Sequence, residues 1–342
     1  MLFGLTDHLE APRGQNPAEV YEQVATRTIL AAQLGFDYAW FSEHHAHAHY
    51  GHLPAPLLFA LHLAGRTKRI RLGTAIICLN LHHPLDIAEQ VAVADILSGG
   101  RIAPGFGSGS TPEEYGYFGS TEPPEDERHE RFAEALEIVV EAWSGQINGK
   151  TRRNFAIPPH DPLPVPAPDL KTRSWLSVNS LGAASIAGRL GFNVLYSHLR
   201  TPEQYRGYRN TYRAAGGRGL IAANRPIYVG RDDASAFREA EPALRTLWRR
   251  FHGEGKISKE MNEPTNVREL CRHPINFIVG GPESAAKQLL NLREEAPFDV
   301  ANLEVSWEGL APGLIDDCLR RIAEEVRPLV QDVELTDRGS QK

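Results

Sequence analysis

Cysteine is scarce in this sequence, and the few residues present form no recognisable pattern. The three cysteines, Cys78, Cys271 and Cys318, are odd in number, widely spaced and include no CxxC pair. Neither a disulfide framework nor a cysteine zinc site is therefore expected, and a reducing cytoplasm is the expected location.

Clustered positive charge and long apolar runs are also missing. The formal net charge is -6, with no block of basic residues, which argues against a nucleic-acid partner because phosphate binding needs concentrated positive charge. No apolar run approaches the roughly 18 residues of a membrane helix. The first seven residues turn polar too early for a signal peptide. We therefore expect neither a nucleic-acid nor a membrane partner.

What the sequence does contain is a regular alternation of short apolar runs and amphipathic segments. Helical spacing is clearest where Phe132, Leu136 and Val139 share one face, before Gly145 ends the segment. Strands are predicted at residues 2–5, 37–42, 69–78, 101–107, 175–178, 193–196, 225–229 and 300–305. Further helices are predicted at 19–34, 56–65, 84–97, 182–190, 202–215, 234–251, 282–295 and 312–330.

This alternation predicts an α/β fold, a single (β/α)8 TIM barrel. Strands alternating with helices imply right-handed crossovers and a parallel sheet, and eight such units favour a closed barrel over an open doubly wound sheet. We expect the barrel to span residues 1–331, with insertions near 108–128, 146–174 and 252–275 and a polar tail at 332–342. Ligands bind at the carboxyl ends of barrel strands, so the residues after each strand are the candidate site.

Five histidines lie between residues 44 and 52, directly after the second predicted strand. They are interpreted either as exposed loop residues, as a source of one acid–base imidazole, or as a metal site built on His47 and His49. Metal-dependent hydrolases on this barrel carry an HxH pair after the first strand and an aspartate after the last. Here His8 follows the first strand and Glu308 follows the last, so we expect no metal.

Two further strand ends carry small residues. A glycine-rich run at 105–110 follows the fourth strand, where glycine would let the backbone approach a flat ligand. Asn179 and Ser180 follow the fifth strand and lead directly into a helix. This helix start has two interpretations, an anion site or an ordinary N-cap, and the residues alone do not separate them.

The ordered set of motifs resembles the bacterial luciferase-like monooxygenase family. The resemblance covers nearly the whole chain and rests on the following segments: Glu43-His44-His45, 71–75, His83-Pro84 with 88–91, 97–101, 117–119, 131–136, 279–283 and 325–328. Each segment alone is weak, but together they keep the order of the family.

The resemblance implies a flavin-dependent enzyme. It implies reduced FMN, supplied by a separate flavin reductase, and O2 as the oxidant of a small organic substrate. His44 would be the catalytic acid–base residue. The flavin ring would lie against Ala75, Ile76 and Gly107. The residues expected at the phosphate are Asn179, Ser180, Leu181, Gly182 and Ala183.

One position departs from the family pattern. Several members have a phosphate-binding arginine where this chain has Ser108, and Arg128 or Arg131 would have to compensate. Glu43, His45, Tyr196 and His198 are expected to face the substrate. A long-chain aldehyde, a sulfonate and a biosynthetic intermediate all fit as substrates. A homodimer formed through the early helices is expected by resemblance.

Three alternatives to the monooxygenase remain open at this point. The first is a deazaflavin (F420)-dependent oxidoreductase, since a related branch uses that cofactor. The second is a metal-dependent hydrolase on the same barrel. The third is a family member that binds flavin without catalysing a reaction.

Overall fold

The computed structural model is a barrel with eight parallel strand positions around its ring, and each position, called a stave here, holds one strand or two consecutive strands. The structure describes residues 1–11, 14–46, 52–109, 111–149, 153–272 and 275–331. The strands are β1 (Leu2–Asp7), β2 (Tyr38–Phe41), β3 (Arg71–Thr74), β4 (Ile77–Cys78), β5 (Ile102–Ala103), β6 (Gly105–Gly107), β7 (Trp175–Val178), β8 (Asn193–Tyr196), β9 (Ile221–Val229), β10 (Ile278–Gly280) and β11 (Val300–Glu304). Strands β3 and β4 follow one another along the third stave, and β5 and β6 along the fourth.

The pairing of neighbouring strands runs around the whole ring. Strand β1 pairs with β2, β2 with β3, β3 with β5 and β4 with β6. The order then continues through β7, β8 and β9 to β11, which pairs back with β1. Strand β10 pairs only with the end of β9 and lies outside the ring. The predicted (β/α)8 barrel is confirmed.

Helices follow the strands and cover the outside of the barrel. They are α1 (Pro17–Gln33), α2 (Pro56–Ala64), α3 (Pro84–Ser98), α4 (Pro112–Tyr117), α5 (Glu125–Trp143), α6 (Leu170–Arg173), α7 (Leu181–Leu190), α8 (Pro202–Ala214), α9 (Asp233–Gly253), α10 (Val267–Leu270), α11 (Pro282–Glu295), α12 (Pro312–Arg321) and α13 (Arg327–Gln331). A π-helical turn over Ile322–Val326 joins the last two. Proline opens many of them, where its missing N–H costs nothing.

Aromatic rings and close backbone contacts fill the inside of the barrel. Tyr38 and Trp40 stack with ring centroids 4.6 Å apart, and Trp175 meets both edge-on. At Gly73 a Cβ atom would lie 1.9 Å from the carbonyl oxygen of Ala103, so only glycine lets the third and fourth staves approach this closely.

The three predicted insertions contain short structure of their own. The segment near 108–128 holds α4 and the start of α5, which begins earlier than the apolar spacing indicated. The proline-rich segment at 146–174 contains an antiparallel bridge between Ile147 and His160 and the single turn of α6. The third segment contains α10. The predicted tail at 332–342 lies outside the described residues. In the described part of the chain, no helix is long and apolar enough to cross a membrane.

Candidate active site

A cavity of about 570 Å³ opens at the carboxyl ends of the barrel strands. Every stave contributes lining residues, most of them from its carboxyl end or from the loop that follows, as expected for a barrel of this kind. From the first stave to the eighth these are Thr6 and His8; Ser42, Glu43 and His44; Ala75, Ile76 and Cys78; Gly107 and Ser108; Ser177 and Asn179; Tyr196 and His198; Asn224 and Pro226; and Asn302 and Glu304.

His44 is held at the cavity by a carboxylate from a distant part of the chain. Its Nδ1 lies 3.1 Å from Oε1 of Glu114 on α4, and the same oxygen accepts the backbone N–H of His45 at 3.0 Å. Burial alone would raise the pKa of Glu114, but these two hydrogen bonds outweigh it and hold the pKa below its usual value. Glu114 therefore stays ionised and fixes the His44 ring through Nδ1.

Glu43 organises a second group of histidines beneath the cavity wall. Its Oε1 lies 2.9 Å from Nε2 of His45 and 2.8 Å from Nε2 of His82, and its Oε2 accepts the backbone N–H of Cys78. Burial raises the pKa of Glu43, but the hydrogen bonds from the two histidines outweigh that effect and lower it. His45 packs on Phe118 and does not line the cavity, unlike Glu43.

The same three side chains bring possible metal ligands together. One ligand atom from each of Glu43, His45 and His82 lies within 4.8 Å of the others. Both oxygens of Glu43 already accept hydrogen bonds, so the cluster is satisfied as a hydrogen-bonded unit. The predicted alternative pair, His47 and His49, lies outside the described residues.

An apolar wall faces the cavity between the third and fourth staves. Ala75 and Ile76, joined by a cis peptide bond, and Gly107 all line it. A Cβ atom on Gly107 would lie 2.7 Å from the Ile76 side chain. A larger residue at 107 would therefore displace the Ile76 side chain, and the three residues together form an apolar surface.

The start of α7 forms the next part of the cavity wall, after the fifth stave. Ser180 is its N-cap and accepts the backbone N–H of Ala183 at 3.2 Å, while the carbonyl of Asn179 accepts the hydroxyl of Tyr208. Asn179, Ser180 and Ala183 line the cavity. The other two residues predicted here do not line it, and the Leu181 side chain is largely exposed.

The predicted cations lie in different places. Arg128 lines the cavity and forms an ion pair with Glu122. Arg131 lies over the ring of Phe155, at 4.6 Å from its centroid, and does not line the cavity. Ser108 lines it, and its carbonyl accepts the hydroxyl of Tyr115.

His129 lies beside the start of α7. A Cβ atom on Gly182 would lie 3.4 Å from its Nδ1, and His129 itself lines the cavity. Burial lowers its pKa, and Arg128 adds to that effect. The sequence analysis missed this residue, although it lies next to Arg128.

Polar residues line the side of the cavity formed by the first, sixth, seventh and eighth staves. Glu304 ends β11, and His8 and His198 flank it with ring nitrogens 3.5 and 3.6 Å from its Oε2. Burial would raise the pKa of Glu304, but His8 and His198 hold it at about 2. Burial lowers the pKa of His198 to about 4. Tyr196 is buried and lines the cavity beside them.

The sequence analysis did not include three residues of this site among its candidates, and only two of them could have been found from the sequence. His8 and Glu304 each stand at the end of a barrel strand, so the strand-end rule could have found them. Glu114 comes from a short helix within an insertion, 70 residues from His44. No local pattern links those two positions.

Comparison with protein families gives one model that spans most of the chain. The model described as luciferase-like monooxygenase matches residues 1–299. Two uncharacterized proteins of Sinorhizobium fredii are 34% and 31% identical to the chain. The first match covers 62% of this chain and 60% of that protein, and the second covers 91% and 92%.

Relatives with a stated activity match over shorter segments. The oxygenase component of a flavin-dependent trigonelline monooxygenase from Acinetobacter baylyi is 26% identical, over 60% of this chain and 56% of that protein. An F420-dependent glucose-6-phosphate dehydrogenase from Beutenbergia cavernae is 32% identical, over 54% of this chain and 56% of that protein. The chain thus spans just over half the length of both enzymes.

Solved structures with the same fold are similar over almost the whole chain. A monooxygenase from Streptomyces bottropensis superposes with a TM-score of 0.81 at 23% identity, covering 96% of this chain and 99% of that one. The oxygenating constituent of 3,6-diketocamphane monooxygenase from Pseudomonas putida, solved with FMN, gives 0.77 at 18% identity, covering 98% and 99%. At these identities the superpositions show a shared fold.

Proposed function

The chain belongs to the luciferase-like monooxygenase family, and from this premise we propose that it is a monooxygenase that uses reduced FMN and O2 to oxidise a small organic substrate. Members of the family are flavin- or F420-dependent monooxygenases and oxidoreductases, and the chain is an enzyme of this class. What we propose beyond membership of this family is that the cofactor is FMN and that the reaction is a monooxygenation.

The observation that carries the proposal is the convergence of three features in one cavity. His44 lies at the end of the second stave, the apolar wall around Gly107 at the third and fourth, and the capped start of α7 after the fifth. A planar ring with an anionic tail needs an apolar wall at one end and N–H donors at the other. The donors and the wall fit FMN in both respects.

At the phosphate end, the structure favours a binding site made mainly of neutral donors. The Ser180 hydroxyl and the first backbone N–H groups of α7 would hold the phosphate, with Asn179 beside them. Arg128 would add positive charge, and His129, which burial keeps neutral near pH 7, is placed to donate a ring N–H from beside Gly182. Arg131 is not part of this proposal because its guanidinium lies on Phe155.

At the ring end, the chain supplies one positioned acid–base group. Reduced FMN, when bound, supplies the electrons that activate O2. The task of His44 is to hold or move a proton near Ala75 and Ile76, with its ring fixed through Nδ1 by ionised Glu114. Cys78 also lines the cavity, but burial raises its thiol pKa well above the usual value, so it stays protonated.

A deazaflavin cofactor is the second candidate, favoured by the similarity to an F420-dependent dehydrogenase. A separate flavin reductase is proposed as a transient partner, by analogy with the trigonelline enzyme, whose name describes an oxygenase component. A homodimer formed through the early helices is proposed as the assembly. No nucleic-acid or membrane partner is proposed.

A cofactor titration followed by one substitution tests the proposed function. FMN and F420, in oxidised and reduced forms, should be titrated separately, and we expect FMN to bind more tightly. His44→Ala should lower turnover by roughly 10²–10⁴-fold while changing FMN affinity little, because a general acid–base group acts on the reaction rather than on binding. Tighter binding of F420 would favour the second candidate, and unchanged turnover in His44→Ala would contradict the role of His44.

A further inference from the structure

The side of the cavity away from α7 contains a chain of polar groups that the proposed function does not use. Ser42 follows β2, His8 follows β1 and Glu304 ends β11. The Nδ1 of His8 lies 2.7 Å from the Ser42 hydroxyl, and its Nε2 lies 3.5 Å from Oε2 of Glu304. All three residues line the cavity. His8 thus connects the Ser42 hydroxyl, through a hydrogen bond, with the Glu304 carboxylate, through a charge contact, across the neighbouring ends of the first, second and eighth staves.

Burial makes this arrangement costly unless its charges are balanced. Glu304 is 6% exposed and Ser42 is 3% exposed. A buried carboxylate is tolerated when a counter-charge or hydrogen-bond donors compensate for lost solvation. The groups placed to compensate here are the imidazoles of His8 and His198.

The pKa values of the two imidazoles are shifted in opposite directions. Burial would lower the pKa of His8, but Glu304, with smaller contributions from Glu10 and Asp7, outweighs burial and raises it. Of the other facing groups, Arg27 pairs with Asp7 and Arg250 with Glu10. Burial dominates at His198 and holds its pKa at about 4, so His198 is neutral near pH 7. When one imidazole is protonated near neutral pH, it is therefore His8.

The free end of the path is close to His44. Ser42 precedes His44 by two positions at the same strand end, and the rings of His8 and His44 lie with centroids 6.4 Å apart. His44 is held by Glu114, which has no part in the path through Ser42. The cavity therefore has two acid–base groups, His44 with Glu114 and His8 with Glu304, close to one another.

We propose that Glu304, His8 and Ser42 form a proton relay that delivers a proton through the Ser42 hydroxyl to the oxygen being reduced in the cavity. The Ser42 O–H proton passes to a lone pair on that oxygen, and the His8 Nδ1–H proton replaces it on Ser42. His8 is left neutral, with Nε2–H directed at Glu304, and regains its proton from solvent. Ser42 and His8 are catalytic residues in this proposal, and Glu304 is a positioning residue.

The identity of the proton acceptor in this relay rests on the proposed function. When reduced FMN is oxidised by O2 to release H2O2, two electrons pass from the flavin to O2. The reduced flavin anion carries one of the two protons that the peroxide needs, and the relay supplies the other. Release of peroxide without added substrate is therefore a direct probe of the relay.

The first test needs no cofactor. The pKa of His8 should be measured by NMR titration of its ring proton in the wild type, in Glu304→Gln and in the control His62→Gln, whose residue lies on the exposed face of α2. Glu304→Gln keeps the shape and removes the charge, so we expect the His8 pKa to fall by roughly 1 unit or more. His62→Gln should leave it unchanged. An unchanged His8 pKa in Glu304→Gln would overturn the relay.

The second test follows peroxide release from reduced FMN and O2 in H2O and in D2O. Ser42→Ala should slow release by roughly 10²-fold and lose most of the solvent isotope effect, while FMN affinity and the rate in His62→Gln stay at wild-type values. Equal rates in Ser42→Ala and wild type would contradict the relay even if Glu304→Gln folds poorly. A wild type that binds no FMN would instead contradict the proposed function, and the His8 titration would still decide whether the relay is charged as argued.

Discussion

His198 is a largely buried imidazole, with 14% of its side chain exposed, that stays neutral while it lies 3.6 Å from an ionised carboxylate. Its pKa is about 4 in the folded chain because burial outweighs the attraction of Glu304, whereas an unfolded chain has the ordinary value near 6.5. A depressed pKa contributes stability that is present above about pH 6.5 and is lost as the pH falls towards 4. We expect this residue alone to cost about 2 kcal/mol of unfolding free energy between pH 7.5 and pH 5.

The measurement is urea unfolding of the wild type and His198→Asn across that range. The variant cannot take up the proton, so its free energy of unfolding should fall less steeply as the pH decreases. The surface variant His62→Gln should follow the wild type. Parallel curves for His198→Asn and wild type would show that His198 does not carry the predicted acid sensitivity.

Site residues were predictable where their position follows from the strand order. His44 came from a motif at a strand end, and the structure places it at the cavity. Glu114 fixes the ring of His44 but comes from a helix within an insertion, and His129 comes from the second turn of α5, next to that insertion. Contacts of this kind depend on how an insertion folds back on the barrel, which spacing along the chain does not encode.

The start of α7 gives an experiment at the scale of one element, because its N-cap is also a proposed phosphate ligand. Aspartate caps a helix as well as serine does, so Ser180→Asp should keep the fold and the melting temperature. Its negative charge would repel a phosphate, so FMN affinity should fall strongly while riboflavin, which has no phosphate, binds as before.

The matched control for this prediction is Thr201→Asp at the start of α8. Thr201 caps its helix through the same kind of hydrogen bond and does not line the cavity. FMN affinity should therefore be unchanged in Thr201→Asp. If Ser180→Asp binds FMN as tightly as the wild type, Ser180 is only a helix cap and the phosphate lies elsewhere.

Most elements were predictable because their apolar spacing and their end signals agree. Helix α3 ends where Gly99 takes the left-handed conformation, as the glycine pair after residue 98 indicated. Strand β9 begins at Ile221 rather than at 225, because Ala222 and Ala223, which have little intrinsic preference for strands, pair with both β8 and β11. Tertiary pairing decides such a boundary, and local hydrophobicity does not.

At the scale of the whole molecule, the sequence analysis predicted a closed ring from the number of strand–helix units. The short strand β10 shows the limit of counting, because it follows the same pattern and yet pairs only with β9, outside the ring. Whether a strand joins a closed sheet depends on whether a neighbouring strand has an edge left to pair with it. Periodicity along the chain carries no information on which edges are available.

The proposed homodimer makes a prediction about the outer surface of the early helices. Val93, Ile96 and Leu97 on α3 are 41%, 51% and 67% exposed. They form an exposed apolar patch, which a second copy of the chain would cover in the proposed dimer. Light scattering should give twice the mass of one chain for the wild type. Ile96→Lys should give the mass of one chain, because a charge buried without a partner weakens an interface.

Leu163→Lys is the control for this prediction. Leu163 is the most exposed of the described large hydrophobic residues, but it lies far along the chain in the proline-rich segment, so the variant should remain a dimer. A monomeric wild type, or an Ile96→Lys variant that stays dimeric, would show that α3 is not the contact surface.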